Sequence, residues 1–468
     1  FLERKVITIM LKKYLKYFIL FILIIQSLLI EVNCLISPLT VFKPALRYLH
    51  AATVVNKKLY ILSGMDLIGS VGFTGIGGGQ FFYLDVSVPF NTRRLFWHDL
   101  TSNNIIPSQI GATAVSSNDT LFLYGGRNLT SIESTASVYT FDTLTNSWSI
   151  PSISGDTFVK RRSLTAIIDN KGKIYLFGGR LLGIDNYVND MIILDTMKSS
   201  WEVGSSLNAP TPRVNYGAVL LPNQNIIYIG GGAESDINEG LPLNEVYLYD
   251  TINNNWSTKQ TSGLIPSNRY GLSAVLGLDG KRVIIFGGQE NGFSVIRPEE
   301  SLYTLNLDTF EWSIPNVSGK IPANRKLHRA NVIGNYMVVT FGVGYNNTES
   351  DILLLDISDN DKYKWKKFFI PSASIPEPSP NPTPIPSSSS SKNKAAVIGT
   401  IVGALLGGLM IGTLFIYKWN KNKRAKVNVL QVPNSKLESQ LGQKEVVKNN
   451  KVDNEETKQV QQQQQQQQ

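Results

Sequence analysis

Six tryptophans recur at nearly equal intervals. Trp97, Trp148, Trp201, Trp256, Trp312 and Trp365 stand 51, 53, 55, 56 and 53 residues apart. A glycine pair precedes each of four of them, at Gly125-Gly126, Gly178-Gly179, Gly231-Gly232 and Gly287-Gly288, with Ser63-Gly64 and Phe341-Gly342 as partial forms. Asp142, Asp195, Asp250 and Asn306 each lie six residues before a tryptophan. Within one period, 161–201, the alternation of apolar and polar residues and the turn residues Asn170-Lys171-Gly172 mark four short strands. A four-stranded sheet has two apolar faces and buries neither alone. Repeated about every fifty residues, it is expected to build a β-propeller, an all-β ring of six blades.

The order of apolar run, Gly-Gly, long loop, Tyr-rich strand, Asp turn and Trp resembles the kelch repeat, the fold of attractin-like kelch domains and of the central domain of galactose oxidase. The resemblance spans about 38–370. It implies a six-bladed kelch β-propeller, with domain limits here set at 35–370.

The chain's 468 residues carry 45 basic and 36 acidic side chains, a net charge of +9. That excess sits at the ends, since 35–417 hold 30 basic and 29 acidic residues. A near-neutral domain has no stripe for phosphates to follow, which argues against nucleic-acid binding.

Residues 1–9 read as an upstream extension. Met10, a basic run at Lys12, Lys13 and Lys16, and an uncharged stretch from Tyr17 to Ile30 read as a signal peptide over 10–34. A Pro/Ser-rich stalk follows the propeller at 371–393, reaching about 70 Å if extended as polyproline. Residues 394–417 are long and apolar enough for one transmembrane helix, and Lys418, Lys421, Lys423, Arg424 and Lys426 place the end in the cytoplasm. Gly399, Gly403 and Gly407 give that helix a small-residue face, through which a homodimer is expected. The tail, 418–468, is basic, polar and ends in eight glutamines, a composition of disorder. These features describe a type I single-pass membrane protein of the plasma membrane or secretory route, its propeller outside. Five N-glycosylation sequons, at Asn118, Asn128, Asn255, Asn316 and Asn346, agree with that route.

In a propeller, the loops joining second and third strands share a face with the links between blades. Here those loops differ in length and sequence (65–80, 127–136, 180–188, 233–244, 289–300 and 343–350), and variable loops on a rigid scaffold are where binding usually sits. Arg47, Arg161, Arg213, Arg269 and Arg325 each stand five residues before an alanine that opens an inner strand; unit two has Pro107 before Ala112. Five guanidiniums would then ring the mouth on that face, and the resemblance implies an anion-binding mouth like that of kelch proteins that take acidic peptides. The competing reading has each Arg hydrogen-bonded to carbonyls between blades. His50 and His328 hold matching positions in units one and six, as interior histidines, and Gly75–Gly79 read as a loop tip lacking the lysine of a phosphate loop.

Copper radical oxidation of the galactose oxidase kind needs a Tyr–Cys crosslink and two His. One cysteine, Cys34, and three histidines do not provide it. No catalytic residue, cofactor or metal ligand is assigned. The expected function is an extracellular protein- or glycan-binding module of receptor or adhesion type. The alternative is a non-oxidative sugar enzyme, isomerase-like, using Glu234, Asp236 and Glu239.

Overall fold

The computed structural model describes residues 42–68, 72–77, 79–128, 138–184, 186–233, 239–291, 296–345 and 349–372. The leader, most of the stalk, the apolar segment at 394–417 and the tail lie outside them. Among the described residues no helix is long and apolar enough to cross a membrane.

Six antiparallel sheets of four blade strands follow one another in chain order. Blade one is Ala51–Val55, Lys58–Leu62, Phe81–Asp85 and Trp97–Asp99. Blade two is Gln109–Ser117, Thr120–Asn128, Val138–Asp142 and Ser147–Ser149; blade three, Ile167–Ile168, Lys173–Phe177, Met191–Asp195 and Ser200–Val203. Blade four is Gly217–Leu220, Asn225–Ile229, Glu245–Asp250 and Asn255–Gln260; blade five, Tyr270–Leu276, Arg282–Gln289, Leu302–Asn306 and Glu311–Ser313. Blade six is Arg329–Ile333, Tyr336–Thr340, Ile352–Asp356 and Tyr363–Lys366. The propeller expected from the sequence is the fold.

Second strands such as KIYLF and NIIYI are apolar at nearly every position because both faces of a blade are covered by neighbours. One cluster of buried residues accordingly runs through blades two, three and four, including Tyr124, Phe177, Ile192, Tyr228 and Trp256. Another joins the first and last blades through Leu59, Phe82, Trp97, Val338, Phe341 and Leu354.

In blades two to five the Asp or Asn six residues before the Trp closes the outer hairpin. Asp142 Oδ1 accepts the amides of Leu144 and Thr145 at 2.8 and 3.1 Å, and Asp250 Oδ1 those of Ile252 and Asn253 at 2.8 and 2.9 Å. Asn306 does the same with Asp308 and Thr309, so the amide substitutes for the carboxylate. The corresponding connection in blade one differs: 86–96 is long, and its Phe90–Asn91 pairs with Phe368–Phe369 beyond the last blade strand.

Exposed outer strands are edges that invite pairing with other chains. Three are covered by the link arriving from the preceding blade. Ser154 lies parallel beside Ser200, Ser262–Gly263 beside Glu311 and Trp312, and Val317–Ser318 beside Tyr363 and Lys364. The Ser-Gly pairs 154–155, 262–263 and 318–319 mark these crossings. Gly263 takes φ +76° with the place of a Cβ 2.5 Å from the Trp312 carbonyl oxygen, so no side chain fits there. This motif was not read from the sequence.

All six glycine-pair positions have positive φ, but unit four does so at Gly230 and Gly231, with φ of 60° and 110°. The pair is therefore one residue earlier than the sequence suggested. A run of three glycines offers two equivalent pairs, and only the bond to the next blade distinguishes them: the Gly231 amide donates to the Arg269 carbonyl at 3.0 Å. The first member tolerates a side chain, as Ser63 (φ 56°) and Phe341 (φ 47°) show. The second is always glycine; at Gly342 a Cβ would stand 2.8 Å from the His328 Cβ.

Candidate functional site

Every blade enters its inner strand through a residue in the left-handed region: Leu49, Gly111, Ser163, Asn215, Gly271 and Leu327, with φ between 52° and 71°. Their backbones form a closed ring. Gly111 donates to the Leu49 carbonyl (2.9 Å), Ser163 to Gly111 (2.8 Å), Asn215 to Ser163 (2.7 Å), Gly271 to Asn215 (2.8 Å), Leu327 to Gly271 (2.8 Å) and Leu49 to Leu327 (3.0 Å). Counting two residues back from each gives the five arginines and, in blade two, Gln109. The sequence alignment of Pro107 with the arginines is thus corrected to Gln109, which is fully buried. The Gly64 amide donates to the Gln109 carbonyl at 2.9 Å, as Gly179, Gly231, Gly288 and Gly342 donate to the carbonyls of Arg213, Arg269, Arg325 and Arg47.

Arg47, Arg161, Arg213, Arg269 and Arg325 are all buried, none more than 3 % exposed. Each points one guanidinium nitrogen at the carbonyl of the glycine-pair position in its own blade: Ser63 (3.0 Å), Gly178 (3.3 Å), Gly230 (3.2 Å), Gly287 (3.4 Å) and Phe341 (3.3 Å). Nε of Arg47, Arg213 and Arg269 donates to the carbonyl two residues earlier. Aromatic rings pack against four of the guanidiniums: Phe82 at 4.8 Å from Arg47, Tyr247 at 4.6 Å from Arg213, Tyr303 at 5.3 Å from Arg269 and Tyr345 at 3.7 Å from Arg325. Arg161 instead forms a bidentate pair with Asp190, at 2.8 and 2.6 Å. Burial lowers the pKa of Arg47, Arg269 and Arg325 to about 10 and that of Arg213 below its ordinary value. The arrangement matches the carbonyl-bonding reading, with the bonds made inside each blade rather than between blades. These arginines hold the mouth's backbone in shape, their guanidiniums bonded within their own blades.

The histidines do not meet. His50 Nε2 bonds Thr340 Oγ1 at 2.8 Å in blade six, and His328 Nε2 bonds Ser273 Oγ at 2.7 Å in blade five. Each reaches back to the preceding blade, as the Tyr216 hydroxyl does to the Phe177 carbonyl at 2.5 Å. Desolvation lowers the His50 pKa strongly and brings His328 to about 3. Among the described residues no group of three or more His, Cys, Asp or Glu is placed to hold a metal. Glu239 is exposed, and Glu234 and Asp236 lie outside the described residues. Asn118, Asn255 and Asn316 are exposed, Asn128 is buried (7 %), and Asn346 lies outside. The first long loop is more ordered in form than a tip: Met65–Ile68 and Gly72–Gly77 pair antiparallel, and Arg47–Tyr48 adds a third strand. Gly75 to Gly77 lie in this sheet, correcting the loop-tip reading.

A wide cleft lies where blade six meets blade one, with a volume of about 730 Å³. Its lining includes the apolar Phe42, Leu46, Leu95 and Trp97, the cations Lys43, Arg93 and Arg94, and the carboxylates Glu349 and Asp351. The carboxylates have partners within the fold. Glu349 accepts the Ala323 amide at 3.2 Å and lies 3.8 Å from Arg325, and Asp351 accepts the Tyr345 hydroxyl at 3.1 Å. Lys43, Arg93 and Arg94 are exposed. The cleft thus offers a basic rim over an apolar floor, built from 92–95 and the stretch before the first inner strand. Nothing in the repeat pattern pointed to it, because 86–96 is where the first unit departs from the pattern.

Residues 49–276 and 235–440 match the profile of the KLHDC2/KLHL20/DRC7 Kelch-repeats domain. The chain is 27 % identical over 343 residues to Kelch domain-containing protein 3 of Rattus norvegicus, covering 67 % of this chain and 85 % of that protein. It is 28 % identical over 249 residues to Host cell factor 2 of Homo sapiens, covering 50 % of this chain and 30 % of that protein. Among solved structures, that titled "Structure of YjhT" superposes with a TM-score of 0.51 at 15 % identity, over 69 % of this chain and 98 % of that one.

Proposed function

The chain belongs to the Kelch-repeats domain family, and on that premise we propose that it is a protein-binding module whose docking surface is the cleft between blades six and one. The observation that carries this reading is the cleft itself: three exposed cations border an apolar floor, while the acidic residues beside them are held by internal partners. Such a surface complements an extended segment with acidic side chains and an apolar or aromatic anchor. Salt screens the rim contribution, so binding weakens as ionic strength rises.

The module's display outside a membrane is proposed from the sequence: a leader at 10–34, a stalk at 371–393 and an apolar segment at 394–417. Protease protection of the propeller in intact vesicles is the check; a propeller digested from the cytoplasmic side overturns this arrangement.

For the binding surface, the full-length chain is used to select from a displayed random peptide library. Enrichment of acidic sequences with an apolar anchor, lost in Arg93→Glu/Arg94→Glu, supports the proposal. No enrichment, or enrichment unchanged by the double variant, overturns it. Turnover of a sugar by the same preparation supports the enzymatic alternative instead.

A further inference from the structure

Two residues past the closed backbone ring, the six inner strands present Ala51, Thr113, Thr165, Gly217, Ser273 and Arg329. Their equivalence is fixed by pairing: Ala51 faces Leu62, Thr113 Tyr124, Gly217 Ile229, Ser273 Phe286 and Arg329 Thr340, each partner standing one residue before a glycine-pair position. Five of the six are small, and the sixth is a long cation.

The central channel here encloses about 300 Å³, lined by one alanine from each of the six blades with Thr113, Thr165, Ser116, Asn331 and Arg329. Arg329 is the one charged residue in that lining. The five mouth arginines all have main-chain carbonyls to donate to. Among the described residues Arg329 has no ion pair and its guanidinium has no hydrogen-bond partner, while its backbone is paired with Thr340 in the strand ladder. Arg329 is partly buried, so its guanidinium remains accessible to a solute in the channel, and a planar guanidinium with no counter-charge beside it matches a carboxylate or oxyanion with two parallel bonds. Burial, with no carboxylate nearby to offset it, brings the Arg329 pKa down to about 10. The wall also supplies a donor: Thr113 Oγ1 accepts the Ala166 amide at 3.0 Å, leaving its hydroxyl hydrogen to give.

We propose that the central channel binds one small free carboxylate or oxyanion on the Arg329 guanidinium. The site is separate from the cleft between blades six and one, so it stands whether or not that cleft takes a peptide. The volume accommodates an anion of a few heavy atoms and not a folded segment of another protein.

The test is equilibrium dialysis of the full-length chain against radiolabelled acetate and, in a separate arm, radiolabelled inorganic phosphate. Saturable uptake approaching one equivalent of either is expected, with affinity falling about tenfold or more in Arg329→Gln, the loss of one charge-assisted bidentate contact. Absence of saturable uptake in both arms, or uptake unchanged in Arg329→Gln, overturns the proposal. A second measurement uses no variant: at fixed ionic strength, acetate or phosphate raises the Tm of the natural chain above its value in chloride. Equal Tm in all three salts overturns the proposal as well.

Discussion

The Leu49 amide donates to the Leu327 carbonyl over 3.0 Å, joining two residues 278 positions apart by the bond that joins every other pair of neighbouring inner strands. Among the described residues the four strands of each blade come from one continuous stretch of chain. Closure comes from this sixth bond, from the Gly342 amide on the Arg47 carbonyl at 2.9 Å, and from Phe90 stacked on Phe369 with centroids 4.8 Å apart.

If the seam is bonded like the other junctions, its amides open only with the whole ring. Native-state hydrogen exchange is expected to give Leu49 the same protection as Ser163 and Asn215. Much faster exchange at Leu49 would show a seam that opens separately.

Phe369 is 1 % exposed and packs on both Phe90 and Tyr336. Phe369→Ala is expected to lower stability by about 3–5 kcal/mol, the usual range for emptying a buried phenylalanine site. Chemical denaturation reads the loss. A change under about 1 kcal/mol would mean the clamp closes nothing.

Arg325→Ala removes the donors that satisfy the Phe341 and Ser350 carbonyls, at 3.3 and 2.6 Å. Each buried acceptor left bare costs about 1–3 kcal/mol, and lysine cannot reproduce the fork. Both Arg325→Ala and Arg325→Lys are therefore expected to lower Tm clearly. Undiminished Tm in the alanine variant would return this residue to a ligand-facing role.

Acid weakens the fold through His50 and His328. Both stay neutral when folded, their pKa values lying far below the ordinary histidine value of 6.5 and, for His328, at about 3. The unfolded chain takes up protons below about pH 6.5 that the folded chain refuses, so the stability these groups confer is complete above that pH and declines below it. The slope is about 1.4 kcal/mol per pH unit for each histidine until the folded pKa is reached. Asp142 and Asp250, held below the ordinary carboxylate range chiefly by the backbone amides of Thr145 and Asn253, add their own loss only below about pH 4. Denaturation midpoints at pH 7 and 5.5 isolate the histidine part. His328→Gln, which keeps a partner for Ser273, is expected to flatten that slope by about half, and an unchanged slope would count against a neutral buried His328.

Gly342→Ala places a Cβ 2.8 Å from that of His328 at φ +101°, where Phe341 beside it tolerates its own ring. A loss of about 1–3 kcal/mol is expected, against a near-neutral Ser63→Gly at the first position of the equivalent pair in blade one. Equal effects at the two would mean that the pair's second position is not selected by space.

The sequence by itself determined the number, order and approximate limits of the blades. Alternating strands, Asp turns and recurrent Trp are local signals, and each blade's four strands are neighbours in the chain. It also carried both readings of the arginines without separating them. Tertiary structure decided that the guanidiniums turn inward, because their acceptors lie on the glycine-pair turns of the second strands, 16 to 18 residues away. It chose Gly230–Gly231 from a run of three glycines and put Gln109 in the missing arginine's place through bonds to the neighbouring blade. It alone brought Phe42, Arg93 and Glu349 to one cleft and set Arg329 in the channel. Those placements depend on a closed ring, whose contacts join residues separated by as much as the length of the domain, and no local pattern encodes them.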